Sequence, residues 1–315
     1  MLEEIEKLIE EPLKAFRNTY NQLIHSPVTI INEITTQLNS RPGKQLRPIL
    51  MMLSNGASGK KDPRISQLAT AIELLHNATL IHDDVIDESD LRRGRPTVNK
   101  EWGNKVAVLY GDYFLAQVML LLNEYDNKEV ALVFNDTVVK LTEGELIQQE
   151  HSLRKDYSES HYMETIYKKT AVMTATCCEL GAMGTPYRSL MREIGRCYGL
   201  AFQMRDDLLD YHPSEETGKP AANDIKEKKM TLPLICLLRK LTPEKREDYL
   251  SFFDQEVLSP CQVDQIANNV RSSGALEDAF NIMSHQVDEA LAQCLLLPPS
   301  PYRDAFCALC EMLRK

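Results

Sequence analysis

Residues 83–87 read Asp-Asp-Val-Ile-Asp, and three arginines, Arg92, Arg93 and Arg95, follow a few positions later. Carboxylates in such a row repel one another unless a cation sits between them. Hard oxygen ligands at this spacing suit Mg²⁺, which retains water and takes one or two carboxylates together with substrate phosphates. Arginine guanidinium groups are planar forks that bind phosphate oxygens in pairs. A solvated acidic helix end followed by a basic turn has the same composition, so the motif needs a partner. Residues 206–210 supply it: Asp206, Asp207 and Asp210 repeat the spacing of Asp83, Asp84 and Asp87. Two such clusters on two helices can face each other across a cavity and hold several ions around one diphosphate.

The elements that must position these groups are helices. Ile72, Leu75, Thr79, Leu80 and Ile86 recur at helical spacing with no Gly or Pro between them, which predicts a helix over about 64–87. On it Asp83 and Asp87 project from one face, one turn apart, with Asp84 to one side. His76 lies two turns before Asp83 on nearly the same face. Upstream, residues 2–38 read as two helices broken near Ser26-Pro27. Lys44 and Arg47, three apart beside a helix start marked by Pro48, can converge on one anion. Further helices are predicted over 105–123, capped by Asn104, and over 128–150, 160–185 and 187–211. The second of these ends in a polar run, Glu143, Glu145, Gln148 and Gln149, of which Gln148 is assigned to the site. The third carries Lys169-Thr170. An ammonium there would stabilise an anionic group, and Thr170 with Gln203 offers neutral oxygens. The loop 212–223, rich in Pro, Gly and charge, holds Lys219 and reads as a lid.

Bulk properties narrow the class. The chain has 315 residues and 43% apolar content, sparse Gly and long segments of 3.6-residue period. These predict an all-α chain, taken as a single domain over 1–315. A formal net charge of −10 excludes a general nucleic-acid binder. The N-terminal MLEEIEKLIEE is acidic and amphipathic, unlike a signal or transit peptide. The most apolar run, about 106–122, is interrupted by Gly111, Asp112 and Gln117 and reads as too short and too polar for stable membrane insertion. Eight cysteines without a secretory signal imply reduced thiols and a cytoplasmic location. Cys307 and Cys310, a lone CxxC, read as packing residues.

From about residue 40 to 235 the chain resembles the trans-isoprenyl (polyprenyl) diphosphate synthases, long-chain type. The resemblance rests on GKQLRP (43–48), ELLHNATLIHDDVID (73–87), RRGRPT (92–97), YGDYFLA (110–116), YKKTA (167–171), FQMRDDLLDY (202–211), TGKP (217–220) and DIKEKKMTLPLI (224–235). It implies a bundle of about ten or more helices around a central cavity, a homodimer and a Mg²⁺ cofactor. It also implies head-to-tail condensation of isopentenyl diphosphate with an allylic diphosphate such as farnesyl or geranyl diphosphate. Carried over residue by residue, Lys44, Arg47, His76 and Arg93 would hold the extender diphosphate. Arg92, Lys169, Lys219 and Lys229 would hold the allylic diphosphate. Asp83, Asp84, Asp87, Asp206, Asp207 and Asp210 would bind metal. Lys169, Thr170 and Gln203 would act on the developing cation, and His82 would serve the core. Pro42 and Gln45 depart from the family's Gly-Gly-Lys-Arg. Lys228 replaces its usual Gly and Ala222 a frequent one, changes that stiffen the loop without removing a ligand.

Product length should depend on what lies before the first aspartates. Short-chain members place bulky aromatics where this chain has Ala78 and Thr79, so the growing tail should pass. Phe134, fourteen positions before Gln148 and so roughly 21 Å along a straight helix, is a candidate floor. The expected product is all-trans, about C30–C45, serving a quinone side chain. Alternatives are a farnesyl or geranylgeranyl diphosphate synthase, a terpene cyclase, a non-catalytic subunit of a heteromeric synthase and a haloacid-type phosphatase. The cyclase reading is disfavoured by the Asp-rich second cluster beside an extender site. The subunit reading is disfavoured by two intact clusters, and the phosphatase reading by aspartates that sit on helices.

Overall fold

A computed structural model describes residues 2–39, 43–92, 94–154, 158–211, 222–255 and 257–315. Arg93 and Lys219 lie outside the described residues, as does nearly all of the proposed lid. In chain order the helices are α1 (Leu2–Leu8), α2 (Glu10–Leu23), α3 (Thr29–Asn39), α4 (Leu46–Ala57), α5 (Ile65–Ile86), α6 (Val98–Trp102), α7 (Asn104–Tyr125), α8 (Lys128–Arg154), α9 (Glu159–Ile166), α10 (Val172–Gly181), α11 (Arg188–Leu209), α12 (Asn223–Lys226), α13 (Leu232–Lys240), α14 (Pro243–Phe252), α15 (Pro260–Ser272), α16 (Ala275–Cys294) and α17 (Pro301–Glu311). Among the described residues, strand is confined to a hairpin of β1 (Leu91–Arg92) and β2 (Arg95–Pro96), so the class is all-α as expected. The backbone divides into two compact units. One holds the residues up to Asp136, with Thr174–Gly195 and Cys294–Cys307; the other holds Thr137–Met173, Arg196–Gln293 and Ala308–Lys315.

The first unit is built on α5, which packs against α2, α4, α6 and α7. Leu68, Ile72, Leu74, Leu75 and Ala78 are wholly buried, and each such Leu or Ile contributes about 1.5–3 kcal/mol. The apolar stripe Leu74, Ala78, Ile81 continues at helical spacing into Asp84, also buried. Contact between α5 and α7 is close because Gly111 has no side chain; a Cβ there would overlap the His82 imidazole. His82 Nε2 lies 3.2 Å from the Val108 carbonyl oxygen and 3.5 Å from Asp112 Oδ1. Its place is at this helix contact, partly exposed rather than in the core. The next residue back from Gly111, Tyr110, pairs its hydroxyl with Thr35 Oγ1 at 2.7 Å.

Three sequence expectations need correcting here. The break near Ser26-Pro27 exists, but a second one at Ile9 splits the preceding helix into α1 and α2. Asn104 does not cap α7: Gly103, at φ 83°, occupies the cap and Asn104 is the first helical residue. The apolar run is also longer than predicted. α7 runs for 22 residues and contains an 18-residue window of mean hydropathy 1.5, so by length and composition alone it could cross a bilayer. One side of α7, with Ala107, Tyr110, Phe114, Val118 and Leu121, is buried; Leu109, Met119 and Leu120 on the other are exposed.

The helix predicted over 160–185 runs unbroken from Glu159 to Gly181 but changes its winding on the way. α9 ends at Ile166, Tyr167–Ala171 form a π turn, and α10 follows. Such turns occur mainly at functional positions, and this one carries Lys169 and Thr170. Thr231 stands at the cap of α13 with Leu232-Pro233 in its first turn. A capping box of Ser259 and Gln262 starts α15.

Candidate active site

In the first unit the groups expected at the site lie at the start of α4, along α5 and just beyond its end. Gln45 takes the left-handed conformation at φ 50° and gives α4 no side-chain cap. Lys44 precedes and Arg47 belongs to the first turn of α4, a helix end at which an anion would be favoured. At the far end of α5, Asp83 is half-buried and Asp87 exposed, while Asp84 is only 5% exposed. Asp84 is engaged by Arg92, whose Nε lies 2.9 and 3.0 Å from its two oxygens and whose second nitrogen lies 2.8 Å from Oδ1. Arg92 belongs to β1, and the hairpin is tied back to α5. Asn99 Nδ2 donates to the Asp84 and Ser89 carbonyls, and Thr97 Oγ1 donates to Ser89. Gly94, at φ 74°, makes the turn. Thr79 donates its hydroxyl to the His76 carbonyl at 2.8 Å, and Ala78 and Phe134 are fully buried.

In the second unit the π turn and the end of α11 form one polar group. Lys169 Nζ lies 2.6 Å from Glu145 Oε2 and donates to Gln148 Oε1 at 2.9 Å. Thr170 Oγ1 donates to Gln203 Oε1 at 2.9 Å. Asp206 is exposed, Asp207 is 3% exposed and Asp210 is half-buried. Asp210 accepts from the backbone N–H groups of Asn223 and Asp224 at 3.2 and 3.0 Å, and so fixes the start of α12. Asp207 accepts from Tyr162, Gln203 and the Leu232 N–H; burial pushes its carboxyl above the usual range. Asp224 is raised to about 7, first by burial and then by Asp210 and Asp207. Lys229 pairs with Glu227 at 2.6 Å.

Ala222 and Lys228 sit at φ 62° and 56°. The backbone keeps the left-handed conformation that Gly would favour at both positions, at a cost of about 1–2 kcal/mol each.

The donor set can be tested against a divalent ion. Among the described residues no three His, Cys, Asp or Glu side chains converge closely enough to hold an ion unaided. Asp83 with Asp87, and Asp206 with Asp210, offer hard oxygens one helical turn apart. Mg²⁺ takes that number of carboxylates when phosphate oxygens and water complete its shell. The residues therefore fit an ion that binds together with a diphosphate.

Tyr162 escapes a motif reading, being an ordinary helix residue in sequence; Glu145, in the polar run of α8, and Asp224, first residue of the 224–235 motif, carry no assigned role there. Gly144 is informative because a Cβ there would lie 2.8 Å from the Lys168 Cβ and 3.0 Å from the Lys169 backbone N. Its absence of a side chain lets α8 approach the π turn and bring Glu145 and Gln148 to Lys169. Gly144→Ala should displace the turn, cost about 1–3 kcal/mol and lower kcat about tenfold. Thermal melting and steady-state kinetics would check both, and an unchanged kcat would mean that the close approach is dispensable.

Comparison with known proteins accounts for this combination. The family model described as polyprenyl synthetase matches residues 28–270. An all-trans-nonaprenyl-diphosphate synthase (geranyl-diphosphate specific) of Rhodobacter capsulatus is 35% identical, over 96% of this chain and 94% of that protein. A short chain isoprenyl diphosphate synthase of Methanothermobacter thermautotrophicus is 33% identical, over 91% of this chain and 90% of that one. A polyprenyl synthase from Caulobacter crescentus CB15, crystallised in complex with calcium and isoprenyl diphosphate, superposes with a TM-score of 0.92. It is 29% identical, covering 100% of this chain and 98% of that one. Paired aspartate triplets on all-α architecture thus have a shared origin with these enzymes: the chain belongs to the polyprenyl synthetase family and is a prenyltransferase of the polyprenyl diphosphate synthase type.

Proposed function

We propose that this enzyme uses Mg²⁺ to condense isopentenyl diphosphate head-to-tail with an allylic diphosphate, farnesyl or geranyl diphosphate, and makes an all-trans product of about C30–C45 for a quinone side chain. Bound Mg²⁺ would supply positive charge against diphosphate oxygens, with Asp83, Asp87 and Asp206 as its ligands. Arg92, Lys169, Lys219 and Lys229 add charge to the allylic diphosphate, which leaves with the electrons of its C–O bond. Lysine and arginine charge favours the departing pyrophosphate more than the ester it came from. The oxygens of Thr170 and Gln203 face the allylic carbon as it becomes cationic. Lys44, Arg47, His76 and Arg93 hold the extender, whose double bond attacks that carbon. A proton then passes to the released pyrophosphate, which restores an allylic product able to react again.

The observation that carries the long-chain reading is the small, fully buried Ala78 on the helix that leads to the first aspartates. The nonaprenyl synthase of R. capsulatus supports it; the short-chain synthase of M. thermautotrophicus keeps a C15–C20 product as the second reading. The exposed apolar side of α7, Leu109, Met119 and Leu120, supports a homodimer. A family match that runs from residue 28 to 270 supports treating the chain as one catalytic domain, and a cytoplasmic location accords with eight free cysteines.

The test is product analysis by mass spectrometry after incubation with Mg²⁺, isopentenyl diphosphate and farnesyl diphosphate, with a chelator control. A chelator-sensitive ladder ending near C30–C45 is expected. A stop at C15–C20 would favour the second reading, and hydrocarbon formed with extender untouched would favour a cyclase.

A further inference from the structure

Four side chains of the second unit form a hydrogen-bonded line that runs from the protein interior to the proposed reaction centre. Tyr162, 8% exposed, donates its hydroxyl to Asp207 Oδ2 at 2.7 Å. The Leu232 N–H points at the same oxygen from 3.4 Å. Gln203 Nε2 donates to Asp207 Oδ1 at 3.0 Å, and Gln203 Oε1 accepts from Thr170 Oγ1 at 2.9 Å.

The direction of each bond follows from the one before it. A carboxylate only accepts, so the amide of Gln203 must turn its NH₂ to Asp207 and its oxygen to Thr170. Threonine has one hydroxyl proton, and Gln203 takes it. Thr170 is left with lone pairs alone, and Gln203 keeps lone pairs on the oxygen it turns to Thr170, while its second N–H stays on the amide nitrogen already turned to Asp207. A lone pair stabilises a carbocation, whereas an O–H or N–H turned toward it repels it. The order acceptor, amide, hydroxyl therefore sets the sign of the field at the reacting carbon. Asp207 is in a poor position to serve as a metal ligand, because three donors already meet its two oxygens and it is 3% exposed.

We propose that Tyr162 and Asp207 are positioning residues, which orient Gln203 and through it Thr170 so that only oxygen lone pairs face the allylic cation. The inference rests on the prenyl-transfer reading of the site. It moves Asp207 from metal binding to cation stabilisation, and it gives Tyr162 a part in the reaction without contact with substrate.

Two variants separate this from a packing role. Tyr162→Phe keeps the ring and removes one donor. Asp207→Asn keeps the shape but must place its amide nitrogen on one side. The Leu232 N–H is fixed and requires an acceptor, so the nitrogen falls toward Gln203. Gln203 then flips, and Thr170 must turn its proton outward. The expected loss in kcat is about tenfold for Tyr162→Phe and about a hundredfold for Asp207→Asn, with KM for both substrates unchanged. The Mg²⁺ concentration giving half-maximal rate should not move. Calorimetric binding of an unreactive allylic thiolodiphosphate with Mg²⁺ should match the unaltered enzyme. In a Thr170→Val background Tyr162→Phe should have no further effect, because the line it orients is already cut.

Wild-type kcat in Tyr162→Phe overturns the proposal, and so does a loss of the same size with or without Thr170. A tenfold shift of the Mg²⁺ midpoint in Asp207→Asn would return that residue to metal binding. Failure of the unaltered enzyme to consume isopentenyl diphosphate in the same assay would instead sink the prenyl-transfer reading.

Discussion

Asp83→Ala should remove all but about a thousandth of the turnover while changing stability by no more than about 1 kcal/mol. Asp83, Asp84 and Asp87 crowd the C-terminal end of α5, where the helix dipole already disfavours negative charge. Removing one of them takes away a proposed metal ligand but also relieves repulsion. Asp84→Ala should behave differently. It deletes a buried carboxylate with two oxygens on Arg92, which leaves the guanidinium without its partner. Arg92 is 39% exposed at its side chain, so water recovers part of the loss; the remaining cost is about 2 kcal/mol. Thermal melts and Mg²⁺-dependent kinetics on the two variants would therefore separate. Asp83→Ala should keep its melting temperature and lose turnover, with excess chelator abolishing the residual rate of the unaltered enzyme in the same way. Asp84→Ala should lose both, because Arg92 loses the carboxylate that holds it against α5. Turnover above a tenth of normal in Asp83→Ala would remove that residue from the proposed metal site.

The contrast within each triplet also shows what a sequence can and cannot convey. Spacing alone put Asp83 and Asp87 on one helical face, and α5 and α11 carry the two triplets as expected. The inward turn of the middle aspartates was readable in principle. In α5 the stripe Leu74, Ala78, Ile81 leads to Asp84, and in α11 Leu200, Ala201 and Met204 lead to Asp207. A polar residue that falls on an apolar stripe is buried, and a buried carboxylate needs donors. Which donors it finds is tertiary: Arg92 comes from a hairpin and Tyr162 from α9, 45 residues before Asp207. The π turn left no local mark, since Tyr-Lys-Lys-Thr-Ala contains no Gly or Pro. Gly144 on α8, where a Cβ would meet Lys168 and Lys169, packs against it, so a signal lay in another helix. At Ala222 and Lys228 the signal came from the resemblance alone: the family pattern has Gly there, and this chain keeps the left-handed backbone without it.

Ala78→Tyr should shorten the proposed C30–C45 product to about C15–C20 without stopping the first condensation. Ala78 is wholly buried, one turn and a half before the first aspartates on α5, and Thr79 beside it is half-buried with its hydroxyl bonded back to His76. An elongating tail is apolar, and the interior that receives it must exclude water to protect the cation. A sealed apolar wall with a small side chain meets that need: the tail can press in where a methyl group stands, and cannot where a phenol ring fills the space. Adding that ring to a close-packed helix costs about 1–3 kcal/mol, so the variant must be shown to be folded by its melt before its products are read. The first turnover needs no room beyond the starter, and the rate of a single addition should stay within about threefold. A truncated ladder with that rate preserved would place the tail along α5. An unchanged product from a folded variant would mean that the tail leaves α5 before Ala78, and Phe134 on α8, equally buried, would then be core rather than the floor of a tunnel.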